Sequence, residues 1–98
     1  MDVNGRVLRT FTDVSRPFHL SLDSEGHVLV ADHGNHLILL LSSELRLQRV
    51  LIDTNSQVKL WRPERLCYNE LTSQLYVAHS SSEEWSWLSN VISVFRLR

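Results

Sequence analysis

Apolar and polar residues alternate along short stretches of this chain in the manner of β-strands. Phe18, Leu20 and Leu22 alternate with His19 and Ser21, and this period of two indicates a strand with one buried face. Residues typical of turns, mostly Gly, Asn, Asp and Ser, separate one such stretch from the next. The pattern predicts strands rather than helices, at residues 6–11, 17–23, 27–32, 36–41, 46–52, 64–69, 74–79 and 91–97.

The chain also contains two copies of one unit. Pairs of residues recur at offsets of 46 and 47 positions, namely Arg16-Pro17 with Arg62-Pro63 and Val30-Ala31 with Val77-Ala78. Residues 6–11 match residues 46–51 at an offset of 40, and residues 38–41 match residues 92–95 at a larger offset. A repeat of about 40 to 45 residues with insertions at fixed places is typical of β-propeller blades.

The order of the strands predicts an all-β fold of about two four-stranded antiparallel propeller blades. Residues 17–52 would form the first blade, and residues 63–98 a second blade that lacks its outer strand. Residues 6–11 would be the outer strand of a neighbouring blade. The whole chain, residues 1–98, is therefore predicted to be part of a propeller rather than a closed ring.

Composition and charge narrow the classes of function. The 98 residues carry a formal charge of −1, which gives no general attraction to nucleic acid or to an acidic membrane. The longest apolar run, residues 37–41, is too short to cross a bilayer. Cys67 is the only cysteine, so no disulfide can form within the chain. We therefore expect a cytoplasmic protein that does not bind membranes.

The stretch from Pro17 to Ile38 resembles an NHL repeat. The matching features are the Pro-x-x-Leu opening, the turn at Gly26, Val-Ala-Asp at residues 30–32, and the tripeptide Asn35-His36-Leu37 that names the repeat. The second copy is degenerate: it keeps Pro63 and Val77-Ala78, but His79 replaces the aspartate and no Asn-His-Leu follows. The resemblance covers one blade strongly and the other weakly.

The resemblance implies a β-propeller, commonly six-bladed. NHL propellers are often the C-terminal domain of tripartite-motif ubiquitin ligases, where they recognise protein or RNA. The chain would then be a non-catalytic recognition fragment of a ligase-type scaffold. The RING and B-box zinc sites of such ligases are absent from this sequence, because it contains a single cysteine.

Candidate binding residues fall in loops that would share one face. Because successive strands of a blade alternate in direction, the turns between second and third strands emerge beside the links between blades. The residues predicted there are Trp61, Trp85, Trp87, Arg16, Arg62, His33 and His36. Trp and Arg are enriched at binding hot spots, so we predict that this set binds a protein partner. Alternatively, Trp61 plugs the gap between blades.

Two alternative functions fit the residues of these loops less well. Single-stranded RNA would stack on the aromatic rings, with phosphates contacted by Lys59, Arg62, Arg65 and Arg16. A lactonase-like or esterase-like propeller enzyme is the other alternative, with Glu64 as the acidic candidate. No motif for a nucleophile or a phosphate-binding loop is present, and Cys67 is expected to be a small buried hydrophobe.

Asp32, His33 and His36 lie close enough in sequence to suggest a metal site. Zinc needs three or four ligands that converge, and one short turn supplies two at most. We interpret these residues as a turn in which Gly34 adopts a positive φ, while Asp32 and Asn35 bond to the backbone. No metal and no cofactor are therefore predicted.

Two isolated blades would expose apolar faces at both ends. Residues 6–11 of one copy would pair with the open strand of another, so that three chains close a six-bladed ring. The alternative is that the chain is a piece of a longer propeller. We favour the second account, because the second blade has diverged from the first.

Overall fold

The computed structural model describes residues 5–56, 59–82 and 90–97. The strands are β1 (Pro17–Leu22), β2 (Val28–Asp32), β3 (Leu37–Leu41), β4 (Leu47–Ile52), β5 (Trp61–Asn69), β6 (Gln74–Ser80) and β7 (Asn90–Arg96). Strands β1 to β4 form the first sheet and β5 to β7 the second, each in chain order. All neighbouring strands are antiparallel. The predicted all-β, partial propeller-like fold is confirmed.

Seven of the predicted strands are present with almost the expected bounds. Each differs by no more than one residue at either end, except that β5 begins at Trp61 instead of residue 64. No helix among the described residues has the length and apolar composition needed to cross a membrane.

Hairpin turns between these strands follow from their sequences. After β1, Asp23 Oδ1 accepts hydrogen bonds from the N–H groups of Glu25 and His27, at 2.9 and 2.8 Å. Gly26 adopts a φ of 86°, a conformation that residues with a Cβ avoid. These contacts turn the chain directly from β1 into β2.

The two sheets pack against each other through one face of each. Ala31 and Ile38 of the first sheet, and Leu75 and Val77 of the second, lie in one cluster and are completely buried. Leu60, in the link between the sheets, is also completely buried in this cluster. Apolar burial of this kind is the main favourable contribution to folding, so the contact between the sheets is the core of the chain.

Hydrogen bonds at the edges of the core fix the sheets relative to each other. His36 Nδ1 accepts a hydrogen bond from Arg62 N at 2.9 Å, and His19 Nδ1 accepts one from Leu66 N at 3.3 Å. Glu70 Oε2 accepts one from Ser24 Oγ at 2.6 Å. Both histidines need an unprotonated Nδ1 for this role. Two rings of the first sheet thus hold the backbone of β5.

Residues 6–11 form no strand in the single chain, in contrast to the prediction for this segment. A strand is defined by its hydrogen-bonded partner, and no described strand pairs with this segment. Phe11 packs instead with Val30, Leu39 and Leu41 of the first sheet, on the side away from the second sheet. Residues 6–11 therefore do not act as an outer strand within the described chain.

Cys67 is exposed, so the expectation that it is buried is wrong. Along β5, Leu66 and Tyr68 face the core between the sheets, and Cys67 between them faces the opposite way. That opposite face of the second sheet is not covered by the rest of the described chain, and Ile92 and Val94 are also exposed on β7.

Replacement of Leu75 by Ala tests whether the contact between the sheets holds the fold. We expect Leu75→Ala to lower the free energy of unfolding by about 2–5 kcal/mol, because it leaves a cavity in the core. The matched control is Leu71→Ala, since Leu71 is 98% exposed and should cost less than about 0.5 kcal/mol. Urea unfolding followed by tryptophan fluorescence measures both; equal midpoints for the two variants would contradict this assignment of the core.

Candidate functional site

The carboxylate of Asp32 organises the loops at one end of the first sheet. Asp32 is completely buried at the end of β2. Its oxygens accept hydrogen bonds from Ser15 N (3.2 Å to each oxygen), Arg16 N (3.0 Å), Asn35 N (3.4 Å) and Asn35 Nδ2 (2.9 Å). Hydrogen bonds to a charged acceptor are stronger than those between neutral groups. One side chain therefore joins the segment before β1 to the turn between β2 and β3.

Gly34 is required in this turn for a reason that the sequence did not reveal. Its φ is not positive; the positive φ of the turn, 59°, belongs to His36. A Cβ at Gly34 would instead lie 2.2 Å from Ser15 Oγ and 3.2 Å from Arg16 N. The glycine permits the close approach of the incoming chain that the Asp32 hydrogen bonds demand.

The turn presents two histidines, each against an aromatic ring. His33 is buried and stacks on Phe18, with ring centroids 4.0 Å apart and planes 11° from parallel. His36 meets Trp61 edge to face, with centroids 4.7 Å apart and an angle of 69° between the planes. These contacts hold the rings in defined orientations beside the link into β5.

Arg62 is buried and adopts a φ of 47°, which is uncommon for a residue with a side chain. Its backbone N–H donates to His36 Nδ1, and its Nη2 donates to Ser82 O at 3.0 Å. Such a conformation persists only where the surroundings fix it, and it is concentrated at functional sites. Arg62 thus ties β5 to the turn of the first sheet and to the segment after β6.

We call the surface formed by these loops the loop face; its residues are Arg16, Phe18, His33, His36, Trp61 and Arg62. Five of them were singled out from the sequence, and their contacts place them together: Arg16 O accepts from His33 N at 2.8 Å, and the ring contacts above join the others. The other two predicted residues, Trp85 and Trp87, lie outside the described residues. Phe18 was missed, because its alternation along β1 marked it as a core position.

Both burial and nearby charges affect the pKa of His33. Burial lowers the pKa of His33; the nearby Glu64 carboxylate opposes this effect, and the positive charges of Arg16 and Arg62 add to it. The His33 ring is therefore favoured in its neutral form, which suits stacking on Phe18.

His79 occupies the position in the second repeat that Asp32 occupies in the first, and its role is different. It is buried, its Nδ1 lies 2.5 Å from Ser80 O, and its Nε2 lies 2.9 Å from Ser93 Oγ. A neutral ring satisfies both contacts, with Nδ1 donating and Nε2 accepting. Burial lowers the pKa of His79, although the bond to the Ser80 carbonyl opposes the shift.

Glu64, the candidate acid of the enzyme alternative, is exposed and lines a shallow cleft of about 240 Å³ together with His79 and Asn90. Within residues 5–56, 59–82 and 90–97, no group of three or more His, Cys, Asp or Glu side chains is placed to hold a metal ion. Asp32 itself is already surrounded by N–H donors of the turn.

Comparisons with known proteins bear on the fold alone. Neither a protein-family model nor a curated protein matches the sequence. Among solved structures, hydrazine synthase of Kuenenia stuttgartiensis is similar over 99% of this chain, with a TM-score of 0.60 and 15% sequence identity. This chain spans 24% of that protein's chain.

Removal of the Asp32 carboxylate tests its organising role. We expect Asp32→Ala to lower the free energy of unfolding by about 1–3 kcal/mol, because N–H groups of the turn lose their acceptor. Gly34→Ala should act in the same direction by about 1–3 kcal/mol, since its methyl group would overlap Ser15. Glu44→Ala, at an exposed position, is the control. Urea unfolding measures all three, and a wild-type midpoint for Asp32→Ala would refute the assignment.

The lowered pKa values of His33 and His79 predict a dependence of stability on pH. A histidine with a depressed pKa takes up protons more readily when unfolded, so its contribution is full above its ordinary pKa of 6.5. This contribution is lost as the pH falls from 6.5 towards the depressed value. The free energy of unfolding should therefore decrease between pH 7.5 and about 5.

Urea titrations across that range should give a smaller decrease for His79→Gln, whereas Leu71→Ala should keep the wild-type slope. An unchanged slope for His79→Gln would show that burial of this ring does not govern the effect.

Proposed function

We propose that the chain is a non-catalytic recognition module that binds a protein segment at the loop face. The observation that carries the proposal is the exposed ring of Phe18, which is 51% exposed yet fixed by its stack on buried His33. An exposed aromatic side chain in a fixed orientation loses little conformational entropy when it is covered by a partner. Rigid aromatic anchors of this kind dominate the energy of protein interfaces.

The rest of the loop face supports the same proposal. Trp61 is half-buried against His36, Arg16 is exposed at the rim, and Glu64 adds a negative charge close to His33. Aromatic rings flanked by charges of both signs suit a protein segment with an apolar residue and polar neighbours. In keeping with the NHL resemblance, the module would belong to a larger scaffold of the ubiquitin-ligase type.

The positions of the cations favour a protein ligand over single-stranded RNA. Arg62, one of the expected phosphate contacts, is buried and donates to Ser82 O. Arg65 pairs with Ala78 on the far side of the second sheet from the core. Arg62 and Arg65 therefore do not lie together in a continuous basic groove of the kind that tracks a nucleic-acid backbone. We place the function in the cytoplasm, because the single cysteine offers no disulfide within the chain.

Site-specific cross-linking tests the proposal. A photoreactive amino acid at position 16 should capture a defined protein from a cell extract, because this exposed position lies at the rim of the loop face. The same group at position 71, in the exposed turn after β5, is the matched control and should not capture that protein. Adducts with a second copy of this chain are excluded by their mass.

Affinity for the captured protein then measures the contribution of the rings. Phe18→Ala and Trp61→Ala should each weaken binding about tenfold or more, as expected for hot-spot aromatic residues. Binding unaffected by either change would overturn the proposal. Salt-sensitive binding of oligouridylate, with no protein captured at position 16, would favour the RNA alternative instead.

A further inference from the structure

We propose that a second copy of this chain packs head to tail on the first, and that this contact repeats the contact between the two sheets of one chain. The proposal does not depend on the function proposed above. It specifies which faces of the sheets meet and which strand completes the second sheet.

The strand registers establish that the two sheets are equivalent position by position. In the first sheet, Ala31 pairs with Ile38. In the second sheet, Ala78 pairs with Ile92. These two residues correspond to Ala31 and Ile38 in the sequence repeat and are of the same types. The internal repeat is thus a structural repeat, and each face of one sheet has a counterpart on the other.

The contact between the sheets uses opposite faces of this shared unit. The first sheet contributes the face that carries Ala31 and Ile38, and the second contributes the face that carries Leu75 and Val77. The counterpart of each lies on the side away from this contact, and we call these two surfaces the open faces. On the second sheet it is the face with Ala78 and Ile92. On the first sheet it is the face with Val30 and Leu39, on which Phe11 and Val14 pack while Leu20 stays exposed. A head-to-tail contact of this kind can be repeated by another copy.

On the open faces, the counterparts of core residues are exposed. Ile38 is completely buried, whereas Ile92 at the equivalent position is 75% exposed. Leu66 is 5% exposed, whereas Leu20, its counterpart in the first repeat, is 58% exposed. Leu20 also lines an apolar cavity of about 270 Å³ with Val28 and other residues of the open face. Both open faces are therefore apolar surfaces of the kind that the internal contact buries.

The segment of residues 6–11 supplies the missing strand. Among the described residues, no strand pairs with the outer edge of β7, whereas β3, the counterpart of β7, pairs with β4. Residues 6–11 match residues 46–51, which include most of β4, with Arg6 and Arg9 at the positions of Arg46 and Arg49. Val7 and Leu8 in this segment are 74% and 66% exposed. Added to the edge of β7, the segment would give the second sheet four strands like the first.

In the proposed contact, the β7 that receives this segment belongs to another copy. Residues 6–11 lead into the first sheet, and Phe11 packs on its open face. The second sheet of the same chain packs on the opposite face of the first sheet. The same arrangement exists within the chain, where β4 of the first sheet leads into β5 of the second. One difference is that Arg65 stands in the place of His19, so the hydrogen bond made by His19 Nδ1 is not repeated.

Complementation between two variants tests the proposal. Leu20→Asp places a charge on the open face of the first sheet, and Ile92→Asp places one on the open face of the second. Both positions are exposed in the single chain, so both variants should keep its fold, which circular dichroism checks. In sedimentation velocity up to about 100 µM, the wild type should form species with more than twice the monomer mass of 11.4 kDa, and each variant alone should be monomeric.

Mixed in equal amounts, the two variants should form a 1:1 dimer that grows no further, because each still has the face that the other has lost. Leu71→Asp, in the turn between β5 and β6, is the control and should associate like the wild type. A wild type that is monomeric throughout overturns the proposal and favours occupants from a longer chain or another protein. Association of the wild type without rescue in the mixture overturns the head-to-tail geometry.

Discussion

The contact between the two sheets is the constraint on which the rest of this structure depends. In the cluster around Ile38 and Val77, each sheet buries one face against the other. Because that burial fixes the sheets side by side, His36 is placed to accept from Arg62 N, and Trp61 is placed against His36. The loop face is thus a consequence of how the sheets pack.

The loops of the loop face are held by hydrogen bonds to the buried Asp32 carboxylate, whereas the sheets are held together by apolar burial. The Asp32 carboxylate gathers N–H groups from both sides of the turn, and Gly34 leaves the space for them. The second repeat has His79 at the equivalent position, and its ring bonds to Ser80 and Ser93 within its own sheet. The two repeats therefore share their strands but differ in how their loops are held.

Alternation and short apolar runs between turn residues sufficed to predict seven strands and, except at the start of β5, their bounds to within one residue, because both are local properties of a strand. The role of Gly34 could not be predicted, since it arises from a close approach to Ser15. Cys67 was assigned to the core because its type is commonly buried, but its neighbours Leu66 and Tyr68 have the inward positions. Residues 6–11 have the sequence of a strand, yet pairing depends on a partner that the pattern of one chain does not contain.

The sheet contact is the core of one chain and, as we propose, a contact that repeats between chains. Amide hydrogen exchange of β7 and of residues 6–11, measured at low and at high protein concentration, addresses this claim most directly. We expect these amides to become slower to exchange at high concentration, while those of β2 and β6 stay slow at both. Exchange in β7 and residues 6–11 that is independent of concentration would contradict the account.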